Sequence, residues 1–361
     1  MCKELSHGIC YIIPPHVHEN IARNGNDKQK ERAYQALNVS AHMRGQREIL
    51  NTFAMLATTP TGVKRRTIYN AQNGLTLPGK LVRGEGDKKS SDTAVNEAYD
   101  GSGKTYDFYF KVFNRNSIDD RGLRLDSSVH YRRNFNNAFW NGQQMVYGDG
   151  DGQIFQRFTK SLDVIGHELT HGVTQYEAGL VYQDQPGALN EHFSDVFGSL
   201  VKQYAKNQKA KQADWLIGEG IFGPNIQGVA LRSMKNPGTA YNDPVLGKDP
   251  QPAHMSKFVN TTADFGGVHI NSGIPNKAFY ELAIALGGSA WEKAGLIWYR
   301  TLVDKVQPNT QFAECAAMTS EVAGTLYGVG SAEQKAVKAA WAVVGITVGT
   351  TAVAAAAGGR R

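Results

Sequence analysis

The sequence predicts an α+β protein in which a β-rich amino-terminal half packs against an α-helical carboxy-terminal half. Three observations carry that prediction. At about 150 residues per domain, 361 residues make two or three domains. Residues 67–152 read as short apolar runs broken by glycine turns, whereas from residue 163 onward apolar residues recur at the helical period. Hydrophobic residues make up 41% of the chain and the 39 glycines bring the apolar share to about half, so each half can bury a core and whole-chain disorder is excluded.

Residues 1–57 differ in texture from the rest of the chain. Pro14-Pro15 ends a short apolar run, and residues 24–32 are polar and charged with a helix-like stretch after them. The run at 9–15 is too short for a signal peptide and comes after Lys3, Glu4 and His7 rather than a basic region. The expectation is secretion by a route without a classical signal peptide, or retention in the cytoplasm as a precursor. A first strand is expected at 67–69. Tyr106, Phe108, Phe110 and Val112 alternate with Asp107, Tyr109 and Lys111, which predicts another strand. The glycine-rich stretch 148–152 is shaped like a calcium loop, but Lys160 stands where the closing glutamate belongs, so it reads as a turn. Helices are expected over 163–175, 188–204, 276–286, 291–306 and from 331 to 346. The 21 uncharged residues 339–359 begin inside the last of these and continue as Ala, Gly and Thr, which predicts a low-complexity tail at 347–361 rather than a membrane anchor.

Composition excludes other classes. A net charge of +6 is spread over basic runs at 28–32, 64–66 and 206–211 with no interleaved aromatics, which predicts solvated faces and no nucleic-acid partner. Cys2, Cys10 and Cys315 are too few and too scattered for a disulfide framework or a cysteine zinc module. Residues 98–105 fit a loose phosphate-loop pattern, but 88–97 is polar where a buried strand is needed, and a strand rather than a helix is expected from Tyr106.

The strongest chemical signal is His167-Glu168-Leu169-Thr170-His171. Residues four apart on a helix stack on one face about 6 Å along the axis, so both imidazoles can converge on one ion at about 2.0–2.1 Å per bond. Glu168 lies beside that face, where a carboxylate can take a proton from a metal-activated water. A catalytic zinc needs a third ligand, and Glu191 supplies it, 20 residues after His171. Asp195, one turn beyond Glu191, can accept the second N–H of one ligating ring, and Asn190 that of the other.

These motifs, with Gly187–Gly198 (GALNEHFSDVFG) and Gly266–Gly273 (GGVHINSG), resemble the thermolysin-type neutral metalloendopeptidases over about residues 67–346. The resemblance implies a thermolysin-like two-domain fold with the active-site cleft between the halves, and one catalytic Zn2+ held by His167, His171 and Glu191. It makes Glu168 the general base, His269 and Tyr182 donors to the developing oxyanion, and Asp264 the group that orients His269. It assigns substrate-backbone binding to Asn137, Ala138 and Arg232. Phe155, Phe158, Val164 and Leu231 form the pocket for the residue after the cut bond, which predicts cleavage on the amino side of bulky hydrophobic residues. Phe158 stands where the best-known relatives carry a smaller aliphatic. Asp163, Asp214 and Glu219 match calcium ligands, but Lys202 and Leu216 occupy two positions of that site, so at most one Ca2+ is expected.

The accessory segment resembles the short pro-region of the protealysin-like branch, reading Cys10-Tyr11-Ile12-Ile13-Pro14-Pro15-His16-Val17-His18, with His16 in place of the usual aromatic. The resemblance implies a zymogen inhibited by its own pro-region (1–57), with a mature start between about Asn51 and Thr61. It also implies a β-rich domain at 58–176 ending in the zinc-binding helix, and an α-helical domain at 177–346. The expected partners are protein or peptide substrates, and a monomer is expected. The rival reading is an inert zinc-containing peptide-binding protein of the same fold, against which Glu168, Tyr182 and His269 all speak.

Overall fold

A computed structural model describes residues 11–51 and 61–348; Cys2, Cys10, most of the expected activation segment and the tail beyond 348 lie outside the described residues. Five strands form the sheet of the amino-terminal half: β1 (Arg66–Asn70), β2 (Lys80–Arg83), β3 (Leu125–Val129), β4 (Ala138–Trp140) and β5 (Met145–Tyr147), in the order β2-β1-β3-β5-β4. β3 runs parallel to β1 and β5, while β2 and β4 close the edges antiparallel. Because β4 is an edge strand, its outer side is open to another extended segment, and Tyr11 bridges to Phe139 there.

The strand expected at Tyr106–Val112 is instead the end of a helix, α3 (Thr93–Phe113). Asp92 caps it, its carboxylate accepting from the amides of Ala94 and Val95. α3 packs against the sheet and against α4, and its less buried residues, Asn96, Glu97, Asp100, Lys104, Asp107 and Lys111, recur at the helical period, which the alternation over 106–112 masked. Tyr109, which the alternation placed outward, is fully buried. The same helix removes the phosphate-loop reading for a better reason than the expected strand, since residues 98–105 lie within it and cannot cradle a phosphate.

The carboxy-terminal half is built from α4 (Leu162–Glu177), α5 (Asp184–Ala205), α6 (Asp264–Asn271), α7 (Gly273–Leu286), α8 (Lys293–Asp304), α9 (Phe312–Tyr327) and α10 (Ala332–Val343). The expected helices are all present within a few residues. α9 was not anticipated, although its start carries a capping box between Gln311 and Glu314. Two-residue pairs β6 (Leu216–Ile217) with β7 (Arg232–Ser233), and β8 (Asn242–Asp243) with β9 (Gly247–Lys248), brace the loops between α5 and α6.

α4 and α5 meet at glycines. A Cβ on Gly166 would lie 3.1 Å from the Gly198 Cα, and one on Gly198 would lie 2.5 Å from the Asp163 carbonyl oxygen and 2.9 Å from the His167 amide nitrogen. Only residues without side chains allow this approach, and it brings the ligand-bearing faces of the two helices together. The accessory segment forms α1 (Pro15–Asn24), with Pro15 in the first turn, and α2 (Asp27–Asn51). Two of the three basic runs are not simply solvated, because Arg32 pairs with Asp151, Lys64 with Asp107 and Arg66 with Glu85, while Lys206, Lys209 and Lys211 of the third are exposed.

Candidate metal centre and substrate cleft

His167 and His171 project from α4 and Glu191 from α5, all three fully buried, with candidate ligand atoms within 4.8 Å of one another. The two Nε2 atoms face each other at 3.0 Å, and Glu191 approaches them at 3.5 Å through Oε2 and 3.4 Å through Oε1. Each ring's Nδ1 lies 2.8 Å from an acceptor, the Asp195 carboxylate for His167 and the Asn190 side-chain oxygen for His171. That places the ring protons on Nδ1 and leaves both Nε2 lone pairs aimed at one point. Glu191 Oε2 has no hydrogen-bond donor there although it is buried. Two ring lone pairs and a carboxylate oxygen converging without a proton between them are the donor set of a zinc ion.

Asp195 is the hub behind the rings. Burial pushes its carboxyl up, but the Arg232 guanidinium and the His167 ring overcome that and hold it well below the usual carboxylate range. Arg232 contacts it twice at 2.8 Å, and Asn276 donates to it at 2.9 Å. Trp298 donates to His192 Nε2, which leaves Nδ1 to donate to the Asn276 oxygen and so fixes that amide's orientation. Burial lowers His192 to about 4, so the ring is neutral in this chain of bonds. Ser194 adds a 3.0 Å contact to His171 Nδ1. The sequence pointed to Asp195 and Asn190 but missed Ser194, Asn276, His192 and the use of Arg232 on Asp195. These partners lie up to 106 residues apart, beyond any helical spacing.

On the cleft side, the Trp140 amide donates to Glu168 Oε2 at 3.0 Å, so the edge strand β4 holds the carboxylate beside the triad. His269 Nδ1 lies 2.6 Å from Asp264, whose other oxygen accepts the His269 amide at 2.9 Å. Burial would lower the His269 ring, but Asp264 and Glu191 lift it to about 9. Asp264 to Gly267 all have positive φ, which lets the chain turn back so that Asp264 faces the ring. Gly266 is obligatory there, since a Cβ would fall 1.9 Å from the Asp184 carboxylate. Tyr182 donates to Glu191 in a short bond and lies 3.2 Å from His269 Nε2.

The accessory segment lies in this cleft. Ile12 donates its amide to the Ala138 carbonyl at 3.2 Å and Ile13 to the Asn137 side-chain oxygen at 3.0 Å, while Arg232 donates to the Ile12 carbonyl at 3.3 Å. Ile12 is fully buried and belongs to the main apolar core, as do Phe155, Phe158, Val164 and Leu231. Downstream, His18 meets Asn137 at 3.3 Å and His16 meets Tyr241 at 3.2 Å. Burial lowers both rings to about 4.

Family models described as the thermolysin metallopeptidase catalytic domain and α-helical domain match residues 24–175 and 178–346. The chain belongs to the thermolysin metallopeptidase family. It is similar to an extracellular metalloprotease of Pectobacterium carotovorum subsp. carotovorum, 52% identical over 350 residues that cover 95% of this chain and 98% of that one. A thermolysin of Alicyclobacillus acidocaldarius subsp. acidocaldarius is 46% identical over 288 residues, 77% of this chain and 50% of that one. The solved precursor of protealysin, a metalloproteinase from Serratia proteamaculans, is 51% identical with a TM-score of 0.85, covering 94% of this chain and 100% of that one. Together with the buried triad, these likenesses make the chain a zinc metalloendopeptidase of the protealysin-like kind, folded as a zymogen.

In this thermolysin-family chain the set matched to calcium holds a side-chain cation. Lys202 Nζ lies 2.8 Å from Asp163, 2.8 Å from Asp214 and 2.8 Å from the Leu216 carbonyl. Burial lowers the ammonium's pKa, but the two carboxylates outweigh it and keep the group charged. Glu219 is exposed and its side chain takes no part. Among the described residues, no helix is long and apolar enough to cross a membrane.

Proposed function

We propose that this endopeptidase cuts its substrates on the amino side of bulky hydrophobic residues, with Glu168 as general base and its own pro-region as intramolecular inhibitor. The observation that carries the reading is the peptide already on the β4 edge, with Arg232 on one of its carbonyls, His269 on the one before it, and an apolar side chain buried between. Bound at the triad, zinc supplies Lewis acidity toward water and the peptide carbonyl. The chain's own residues do the rest. Ala138 and Asn137 hold the substrate as an added strand, so the reacting bond is aligned before chemistry begins. Glu168, anchored by the Trp140 amide, takes a proton from water and delivers it to the leaving nitrogen. His269, held by Asp264, and Tyr182 donate to the carbonyl oxygen as charge builds on it, a contribution of about 3–4 kcal/mol for one such donor in a comparable site. Phe155, Phe158, Val164 and Leu231, all buried, select the apolar residue after the cut.

In this reading residues 1–57 are the pro-region, 58–176 and 177–346 the two peptidase domains, and 347–361 a tail; Asp163, Asp214 and Lys202 form a structural ion cluster that needs no calcium. The extracellular naming of a relative covering nearly all of the chain supports work outside the cell, and in this reading the enzyme acts as a monomer. Glu168→Ala tests the assignment. The variant is expected to bind zinc, to purify as uncut precursor and to leave casein intact. Self-trimming and full casein digestion by that variant would refute the role given to Glu168.

A further inference from the structure

The contacts of residues 11–13 define a direction and a register, not only an obstruction. The segment runs antiparallel to β4 with Tyr11 opposite Phe139. Its two successive amides meet Ala138 and Asn137, and Arg232 meets the Ile12 carbonyl. One residue earlier, the Tyr11 carbonyl oxygen lies 3.0 Å from His269 Nε2, which in turn lies 3.2 Å from the Tyr182 hydroxyl. Those are the two donors assigned above to the carbonyl of the bond being cut. The side chain that comes after this carbonyl, Ile12, is fully buried in the main apolar core.

We propose that the Tyr11–Ile12 peptide bond is the chain's own first substrate, cut in cis while the pro-region is seated. The proposal rests on the protease reading above and adds the bond. While residues 11–13 occupy the cleft no other peptide can enter it, so this bond is the first one available. Room for water lies close by, in a cavity of about 420 Å³ lined by Tyr11, Ile13, His18, Tyr182, Asp264 and His269. In the step, the water oxygen joins the Tyr11 carbonyl carbon, the bond from that carbon to the Ile12 nitrogen breaks, and Glu168 carries a proton from the water to that nitrogen. The products are residues 1–11, ending in the Tyr11 carboxylate, and a chain that begins with the Ile12 amine. Water is the only co-reactant.

The cut does not empty the cleft. Asn20 donates to the Leu246 carbonyl at 2.8 Å, and Arg32 pairs with Asp151 at 3.1 Å. With the His16 and His18 contacts, these hold the remaining pro-region in place as a bound product, and activity awaits a second cut nearer the peptidase domain. Two steps, one silent and one activating, arise from one docking.

Intact mass and amino-terminal sequencing of the freshly purified full chain, tracked over time, test the proposal. The expected result is loss of residues 1–11 and a new terminus at Ile12, with a half-time unchanged on tenfold dilution. A readout that needs no turnover is amide hydrogen exchange in the full-length Glu168→Gln chain. There the Ile12 and Ile13 amides should exchange at least tenfold more slowly than the same positions when Ile12→Asp is added. If the matured protein digests casein while every recovered pro-region piece keeps the Tyr11–Ile12 bond, the proposal falls and the protease reading stands. A half-time that lengthens with dilution overturns the cis assignment. A chain that cuts neither itself nor casein overturns both readings.

Discussion

Helices α4 and α5 carry two buried cation sites side by side. Asp163 precedes His167 by one turn on α4, and Lys202 comes two turns after Asp195 on α5. At the first site two imidazoles and Glu191 converge with no proton between them, and the charge must come from a diffusible ion. At the second the charge is tethered, since the Lys202 ammonium takes the oxygens of Asp163, Asp214 and Leu216. The difference reflects the task of each site. Catalysis needs a cation with an open coordination position, which no side chain offers. Holding a loop onto a helix needs only neutralised charge, and a lysine provides that whatever ions the medium contains.

The contrast breaks most visibly under chelation. Removing zinc with a strong chelator should reduce casein digestion to background and stoichiometric zinc should restore it, while added calcium leaves the thermal midpoint of the wild-type chain in place. Calcium-dependent activity in the wild type would erase the distinction between the two sites. Next in size is Lys202→Met. Stripping the ammonium from two facing carboxylates should cost about 3–5 kcal/mol, read as a lower urea midpoint. Lys202→Glu should convert the site, so that calcium raises the midpoint of this variant alone.

Gly198→Ala probes the helix contact that both sites share. Its Cβ would overlap the Asp163 carbonyl and crowd His167, so a stability loss of about 1–3 kcal/mol should come with weaker zinc binding in a metal-competition titration. A variant that loses stability but keeps wild-type zinc affinity would mean that the contact does not position the triad.

The smallest effect concerns pH. His16 and His18 titrate near 4 when docked because burial disfavours their charged forms, against about 6.5 in the free chain. The undocked state therefore binds more protons between those values, so docking is strongest above pH 6.5 and weakens as pH falls toward 4. The protection of the α1 amides in the uncut Glu168→Ala chain, taken relative to the intrinsic exchange rate at each pH, should fall from pH 7 to pH 5, and His16→Phe should reduce that slope. Greater protection at pH 5 than at pH 7 would reverse the sign.

Much of this was legible in one dimension. His167, Glu168, His171, Glu191 and Asp195 declare themselves because a helix converts spacings of four into a shared face. α3 was misread at its end. Its polar stripe of Asn96, Glu97, Asp100, Lys104, Asp107 and Lys111 does follow the helical period, but Tyr106, Phe108, Phe110 and Val112 alternate by coincidence with a strand's period at its end. α9 lacked a strong stripe, and only its capping box marked it.

Sequence by itself determined the paired imidazoles, the carboxylate beside them and the helical half, because those depend on residue type at short fixed intervals, and resemblance to a family supplied the reaction class and the zinc. Tertiary structure alone decided that the Lys202 ammonium reaches Asp163, Asp214 and the Leu216 carbonyl together, that Gly166 and Gly198 let the ligand helices touch, and that Tyr11 to Ile13 are the residues lying along the β4 edge. Each of these is a contact between residues far apart in the chain, made possible by close packing, and no local period encodes such separations.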